Sequence, residues 1–151
     1  ALQEIRDKLE GIEGTMSPNQ ALLKSLDNPE EIKGIGPALG KELRVLGISS
    51  VGDFLTTDPA VIGEKTRVSQ EAAENLQAMA QLMMVPGVDS NDAEILIDAG
   101  IKSRKDLANQ DLIQLSRKVG EISRTYVNQG KLSKDKCPTI EKISYWIRTA
   151  R

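Results

Sequence analysis

The sequence predicts an all-α fold built from two copies of one helical unit, and three observations carry that expectation. Aromatic residues are only 3% of the chain while 39% is apolar, so Leu, Ile, Val, Ala and Met must fill the interior, which favours helices over packed sheets. A segment is duplicated: Gly34-Ile35-Gly36-Pro37-Ala38-Leu39-Gly40-Lys41-Glu42-Leu43, leading into Leu46-Gly47-Ile48-Ser49-Ser50-Val51-Gly52-Asp53-Phe54, returns as Gly87-Val88-Asp89-Ser90-Asn91-Asp92-Ala93-Glu94-Ile95-Leu96, leading into Ala99-Gly100-Ile101-Lys102-Ser103-Arg104-Lys105-Asp106-Leu107. The offset from position 34 to position 87 holds without a gap, the mark of duplicated structural units. Elsewhere apolar residues recur at three-and-four spacing, the stripe of a half-buried helix.

Taken in order, Leu2, Ile5, Leu9 and Ile12 make an amphipathic helix of residues 2–13, and Ser17-Pro18 begins another through Leu26. Asn28-Pro29-Glu30-Glu31 reads as a helix start, with Asn as N-cap, Pro first and Glu in the first turn. Gly34 stops that short helix, Pro37 restarts one to Leu46, and Gly47 stops it in turn. Ser50 with Asp53 caps the next. In the second unit Ser69 opens a helix with apolar positions 72, 76, 79, 80 and 83; Gly87 closes it, Ser90 caps its successor, and Gly100 ends that one. Ser103 with Asp106 repeats the cap. Small residues in register, Gly40 and Ala93, mark close approaches of helices. Leu112, Leu115, Val119, Ile122 and Tyr126 form a long stripe ended by Gly130; residues 131–137 are a Lys-rich connection. Pro138 starts a last helix with Ile140, Ile143, Trp146 and Ile147 on one face, Trp146 anchoring it and Tyr145 pointing elsewhere. The organisation expected is an extension at 1–27, a first unit at 28–68, a second at 69–111 and a basic helical segment at 112–151.

Several chemistries are excluded by composition. Histidine is absent, which removes Ser-His-Asp triads, Cys-His pairs and His-ligated metals. Asp89, Asp92 and Asp98 lack the spacing of a calcium loop, and Gly34-Ile35-Gly36 follows no strand and lacks the third glycine of a dinucleotide fingerprint. Cys137 precludes an internal disulfide and reads as a residue at a helix start; Met79, Met83 and Met84 read as core filler. The expectation is a non-enzyme without a metal, cofactor or small-molecule substrate. No run approaches the roughly 18 apolar residues of a membrane span, and no secretory signal is legible. The reading is therefore intracellular and soluble, in an organelle if the start at Ala1 reflects processing of a precursor.

Charge is unevenly spread. The net charge is −2, yet residues 112–151 hold nine Lys/Arg against three Asp/Glu, and residues 1–111 hold eleven against nineteen. Such asymmetry suits an oriented contact with an anionic partner, or a solvated basic face.

At Ile32-Lys33-Gly34-Ile35-Gly36-Pro37-Ala38-Leu39-Gly40-Lys41 the chain resembles the helix-hairpin-helix motif of DNA repair and replication proteins. Its hallmark is Gly-hydrophobic-Gly between two helices with a small residue one turn later. From about residue 28 to 151, including the closing Pro138-Thr139-Ile140…Ile143…Trp146-Ile147…Ala150, it resembles a domain-of-unknown-function family of tandem helix-hairpin-helix proteins. That resemblance implies two tandem helix-hairpin-helix units (SAM-like) packed in one compact helical domain between N- and C-terminal flanking helices.

The same resemblance implies a mode of binding. Such hairpins present backbone N–H groups at a helix N-terminus to a phosphate, where the dipole and unpaired donors favour an anion. Carried over by position, Gly34, Ile35 and Gly36 are the backbone donors and Lys41 the side-chain contact, supplemented by Lys33 and Arg44. Contacts of this kind do not read bases, so any DNA bound is bound regardless of sequence. In the second unit Asp89 replaces the second glycine and would repel a phosphate. Lys102, Arg104 and Lys105 after it, with Arg117, Lys118 and Arg124, are secondary basic contacts. The alternative is a protein-interaction or scaffold subunit with no nucleic-acid contact, a reading that the acidic first 111 residues and a pI near 5.3 favour.

Overall fold

A computed structural model describes residues 21–151, so the expected helix at 2–13 and the start of the one at Ser17 lie outside the described residues. Among the described residues the fold is all-helical. A 3₁₀ turn at Pro29–Glu31 precedes α1 (Pro37–Val45), α2 (Val51–Thr56), α3 (Pro59–Lys65), α4 (Gln70–Met83), α5 (Ser90–Asp98), α6 (Arg104–Ala108) and α7 (Leu112–Asn128). A second 3₁₀ turn, Lys134–Lys136, then leads to α8 (Ile140–Ala150). No described helix is long and apolar enough to cross a membrane.

Residues 21–26 are not the end of a helix, as Ser17-Pro18 suggested. Their carbonyls serve another element: Ser25 O accepts from Gly52 N at 2.8 Å and Asp27 O from Val51 N at 2.8 Å. Ser25 and Asp27 thus satisfy two of the unpaired amides that open α2. Its Leu23 is buried in the core. The Asn28 start is a single 3₁₀ turn, the Asn28 side chain accepting from Glu30 N at 3.1 Å.

The duplication seen in the sequence recurs in the backbone. Gly34 and Gly87 have φ of 104° and 89°, Gly47 and Gly100 of 85° and 89°. The residues before α1 and α5, Gly36 and Asp89, have φ/ψ of −90°/−179° and −93°/−179°. Ile48 N reaches Leu43 O and Ile101 N reaches Leu96 O, each at 2.9 Å. Ser50 and Ser103 cap α2 and α6 through the amides of Asp53 and Asp106, at 3.1 and 3.0 Å. In both, the returning carboxylate passes over the serine and takes the amide one residue earlier, Ser49 and Lys102, at 3.2 Å. Hydrogen bonding by serine and backbone holds the exposed Asp53 carboxyl below its ordinary value.

Three boundaries differ from the sequence reading. Asp89, not Ser90, caps α5: its side chain accepts from Asp92 N at 2.8 Å while the Asp92 carboxylate accepts from Asp89 N at 3.1 Å. A carboxylate at each end makes this cap reciprocal, which a serine one residue later cannot match. Thr139, not Pro138, precedes α8, its hydroxyl accepting from Lys142 N at 3.2 Å, and Ile140 is consequently turned outward, 45% exposed. Finally, α3 was not anticipated, although Asp58-Pro59 supplies its cap and first residue, the Asp58 side chain accepting from Ala60 N at 2.9 Å.

One continuous hydrophobic cluster runs through both units. It is aliphatic apart from Phe54 and Trp146, and takes in Met79 and Met83 as core filler. Helix α4 lies at its centre, in contact with α2, α3 and α5. Its approach to α3 is tight, since a Cβ on Gly63 would lie 2.5 Å from the Gln70 backbone nitrogen. At the other end α8 packs on α6 and α7. Trp146 is fully buried and donates from Nε1 to Gly87 O at 2.9 Å. Tyr145 does not point away as expected; with Trp146 it stands against Gly87, where an added Cβ would lie 3.0 Å from the Tyr145 ring. Lys142, on the same helix, reaches the buried Asp92 carboxylate at 2.9 Å. Burial pushes that carboxyl up to about 6, outweighing the opposite pull of Lys142 and of the Asp89 amide.

Two predictions follow from this packing. Gly63→Ala meets backbone rather than a movable side chain, so it should destabilise by about 1–3 kcal/mol despite alanine's better helix propensity. Gly120→Ala, in α7 with open space around it, should stabilise by up to about 1 kcal/mol; urea titration of both variants checks the two signs, and equal effects would refute the close α3–α4 contact. Because the Asp92 carboxyl is raised on folding, its favourable contribution is full below about pH 4 and lost as pH rises through about 6. Asp92→Asn keeps an acceptor for the Asp89 amide, so its stability relative to wild type should improve between pH 4 and 7.5, by roughly 1–3 kcal/mol. A difference that does not change with pH would show that Asp92 does not titrate in this range.

Candidate functional site

The first hairpin runs from the Pro29–Glu31 turn through Gly34 to α1. Gly34 takes a left-handed conformation that side chains resist, and a Cβ there would also lie 2.7 Å from Leu76 of α4. Ile35 is buried, which fixes the turn to the core. Its amide is not a free donor, contrary to the sequence expectation, because it donates to Ile32 O at 3.1 Å in closing the turn. Gly36 then stands at the N-cap of α1 with no side chain to offer. Pro37 has no N–H, and the amides of Gly34, Gly36, Ala38 and Leu39 make no hydrogen bond among the described residues. The positive end of a nine-residue helix is therefore left open to solvent.

The side chains around it divide into engaged and free. Lys33 pairs with Glu94 of α5 at 3.0 Å, and Arg44 with Glu30 at 2.8 Å. Glu42, the carboxylate of α1 itself, is held by Arg67 through both Nε (3.2 Å) and the backbone amide (3.1 Å). Glu30 and Glu42 are thus neutralised in place, whereas Glu31, the third carboxylate near the hairpin, is exposed with no ion pair among the described residues. Gly40, expected to mark a helix–helix approach, instead makes room for the Glu30 carboxylate, which would lie 2.1 Å from an added Cβ. Lys41 is exposed and has no ion pair among the described residues.

The second hairpin presents the same backbone with two of its amide donors, those of Asp89 and Asp92, taken. The Asp89 and Asp92 carboxylates occupy each other's amides, and two acidic groups replace an open helix end. The secondary basic residues fall apart by position. Arg104 is structural: its guanidinium donates to Ala150 O and Thr149 O, both at 3.0 Å, closing the end of α8. Lys102 and Lys105 flank it, exposed, and Arg117, Lys118 and Arg124 lie exposed along α7. The structure does not gather these with the first hairpin. What it places there is Lys131, just past the end of α7, which the sequence reading left in a polar connection. Lys131 and Tyr126 line a cleft of about 550 Å³ whose other residues include Lys33 and Gly34. The signal was the helix-ending Gly130, which turns the chain back and brings Lys131 N to Tyr126 O at 2.8 Å.

Comparison with known proteins adds a family and no more. No curated protein and no solved structure gives a match. The family model described as "Domain of unknown function (DUF4332)" matches residues 33–151, from the turn of the first hairpin to the end of the chain. The chain belongs to the DUF4332 family.

Proposed function

We propose that this chain is a non-catalytic binding module of two tandem helix-hairpin-helix units whose first hairpin grips a nucleic-acid phosphate without reading bases. The observation that supports this reading is the contrast between two hairpins of nearly identical backbone. Asp89 and Asp92 fill each other's amides in one, whereas the equivalent amides of Gly36 and Leu39 in the other are open, with Lys41 unpaired one turn along. A phosphate would take the open amides and gain the helix dipole, with Lys41 as its counter-charge. Neutralisation of Glu30 and Glu42 by Arg44 and Arg67 reduces the local repulsion that the acidic composition suggested, leaving Glu31 as the one carboxylate of the turn without an ion pair among the described residues. A scaffold role in a larger assembly is the second reading, favoured by the exposed apolar side chains of Leu26 and Val45, at 91% and 82%.

Fluorescence anisotropy with labelled duplex DNA at low and near-physiological salt tests the proposal. Binding should weaken steeply with salt, as counterion release requires, and fall by about three- to tenfold in Lys41→Glu. The sharper variant is Gly36→Asp, which transplants one carboxylate of the second hairpin's reciprocal cap and aims it at the Leu39 amide. No atom lies within 4 Å of a Cβ there, so the fold should hold and gain a few tenths of a kcal/mol from the cap. Binding should nevertheless be lost. Retained affinity in Gly36→Asp would remove the phosphate from this hairpin, and no binding even at low salt would favour the scaffold reading.

A further inference from the structure

The cleft beside the first hairpin is a second feature with a chemistry of its own. Its floor is apolar, formed by Leu76 and Met79 of α4 and Ile97 of α5. Its rim is polar but electrically balanced. Lys33 is paired with Glu94 at 3.0 Å, the Tyr126 hydroxyl donates to the Asp98 carboxylate, and Lys131 sits 5.5 Å from the centre of the Tyr126 ring. Burial and the two nearby carboxylates raise the Tyr126 phenol, so it stays a neutral donor. Asn75, exposed on the rim, has a side-chain amide that makes no hydrogen bond among the described residues.

This balance sorts ligands. Two lysines against two carboxylates give an anion no net attraction to the interior of the cleft. An apolar floor with a free amide and carboxylate acceptors at its rim suits a neutral heterocycle carrying ring acceptors and exocyclic amines. The volume of about 550 Å³ is within the range of small-ligand pockets. Gly34, at the edge of the cleft, is two residues from Gly36, a separation of at most about 7 Å along the chain. An anion-binding helix end and a neutral aromatic-sized cleft therefore adjoin.

From this juxtaposition we infer that the cleft accepts an unstacked nucleobase whose strand is held by the neighbouring hairpin, so that the preferred partner is single-stranded rather than continuous duplex DNA. The inference rests on the phosphate-binding reading of the first hairpin. A base paired and stacked in a duplex cannot enter, whereas an unpaired base loses little by leaving its neighbours.

The test compares a labelled single strand with the duplex of the same sequence, by anisotropy at low salt, on the full chain. The single strand should bind about tenfold more tightly, the worth of one buried base. Ala72→Trp, which fills the cleft from α4, should bring single-strand affinity down to the duplex level and leave the duplex unaffected. Asn75→Ala, which removes only the exposed amide, should lower single-strand affinity several-fold, and circular dichroism confirms that both variants fold. Gly36→Asp should abolish binding of both forms. Equal affinities in the wild type, or a single-strand preference that survives Ala72→Trp, would overturn the nucleobase inference while leaving the hairpin reading intact. Failure of both DNAs to bind would sink the hairpin reading, and this inference with it.

Discussion

The structure depends on two peptide units that must turn left-handed directly beneath a bulky neighbour. Gly34 does so under Leu76, and Gly87 under Tyr145 and Trp146. At either position a side chain would meet both an unfavourable φ and an occupied space. The glycine lets the chain reverse at the core surface, so that the next apolar residue, Ile35 or Val88, enters the core at once. Everything else in each unit is set by that reversal: the direction of α1 and α5, the second glycine stop, and the serine cap that follows.

Much of this was legible because it is local. The repeat, both Gly-to-Gly spans, the Ser50, Ser69 and Ser103 caps and the stripe of α7 all rest on residues within a turn of one another. The errors were of a different kind. Residues 21–26 are non-helical, and the contacts they and Asp27 make are with α2 amides some 25 positions away, which no local pattern shows. The Asp89–Asp92 cap competed with a plausible Ser90, and a reciprocal pair of carboxylates won over a single hydroxyl. Of the candidate site, the open glycines and Lys41 were readable from the motif. That Lys33, Arg44 and Arg104 are engaged by Glu94, Glu30 and the end of α8 was not, because those partners come from other elements.

The same comparison changes the meaning of the charge asymmetry. The basic excess of residues 112–151 is not one surface: Lys142 is turned to Asp92, Arg151 donates to Ala108 O, and Lys131 faces the cleft. A regional charge balance is a property of the chain, whereas an electrostatic footprint is a property of a face. Equally, the acidic residues of the first unit do not make it repulsive to anions where Arg44 and Arg67 already answer them.

Helix α4 belongs to both units. One of its residues, Leu76, roofs the first hairpin, and its last turn leads into the second, while α3 leans on its start and the end of α2 on Gln77 at its middle. In an array whose repeats merely stack, each can melt with only an interface lost. Here one continuous core spans both copies and includes residues of the shared helix, so neither copy buries its apolar face alone. Opposite α4, α8 supplies the roof over Gly87 from a position out of register with Leu76. The two equivalent glycines are thus roofed by non-equivalent helices, so the copies share a backbone path but not an environment.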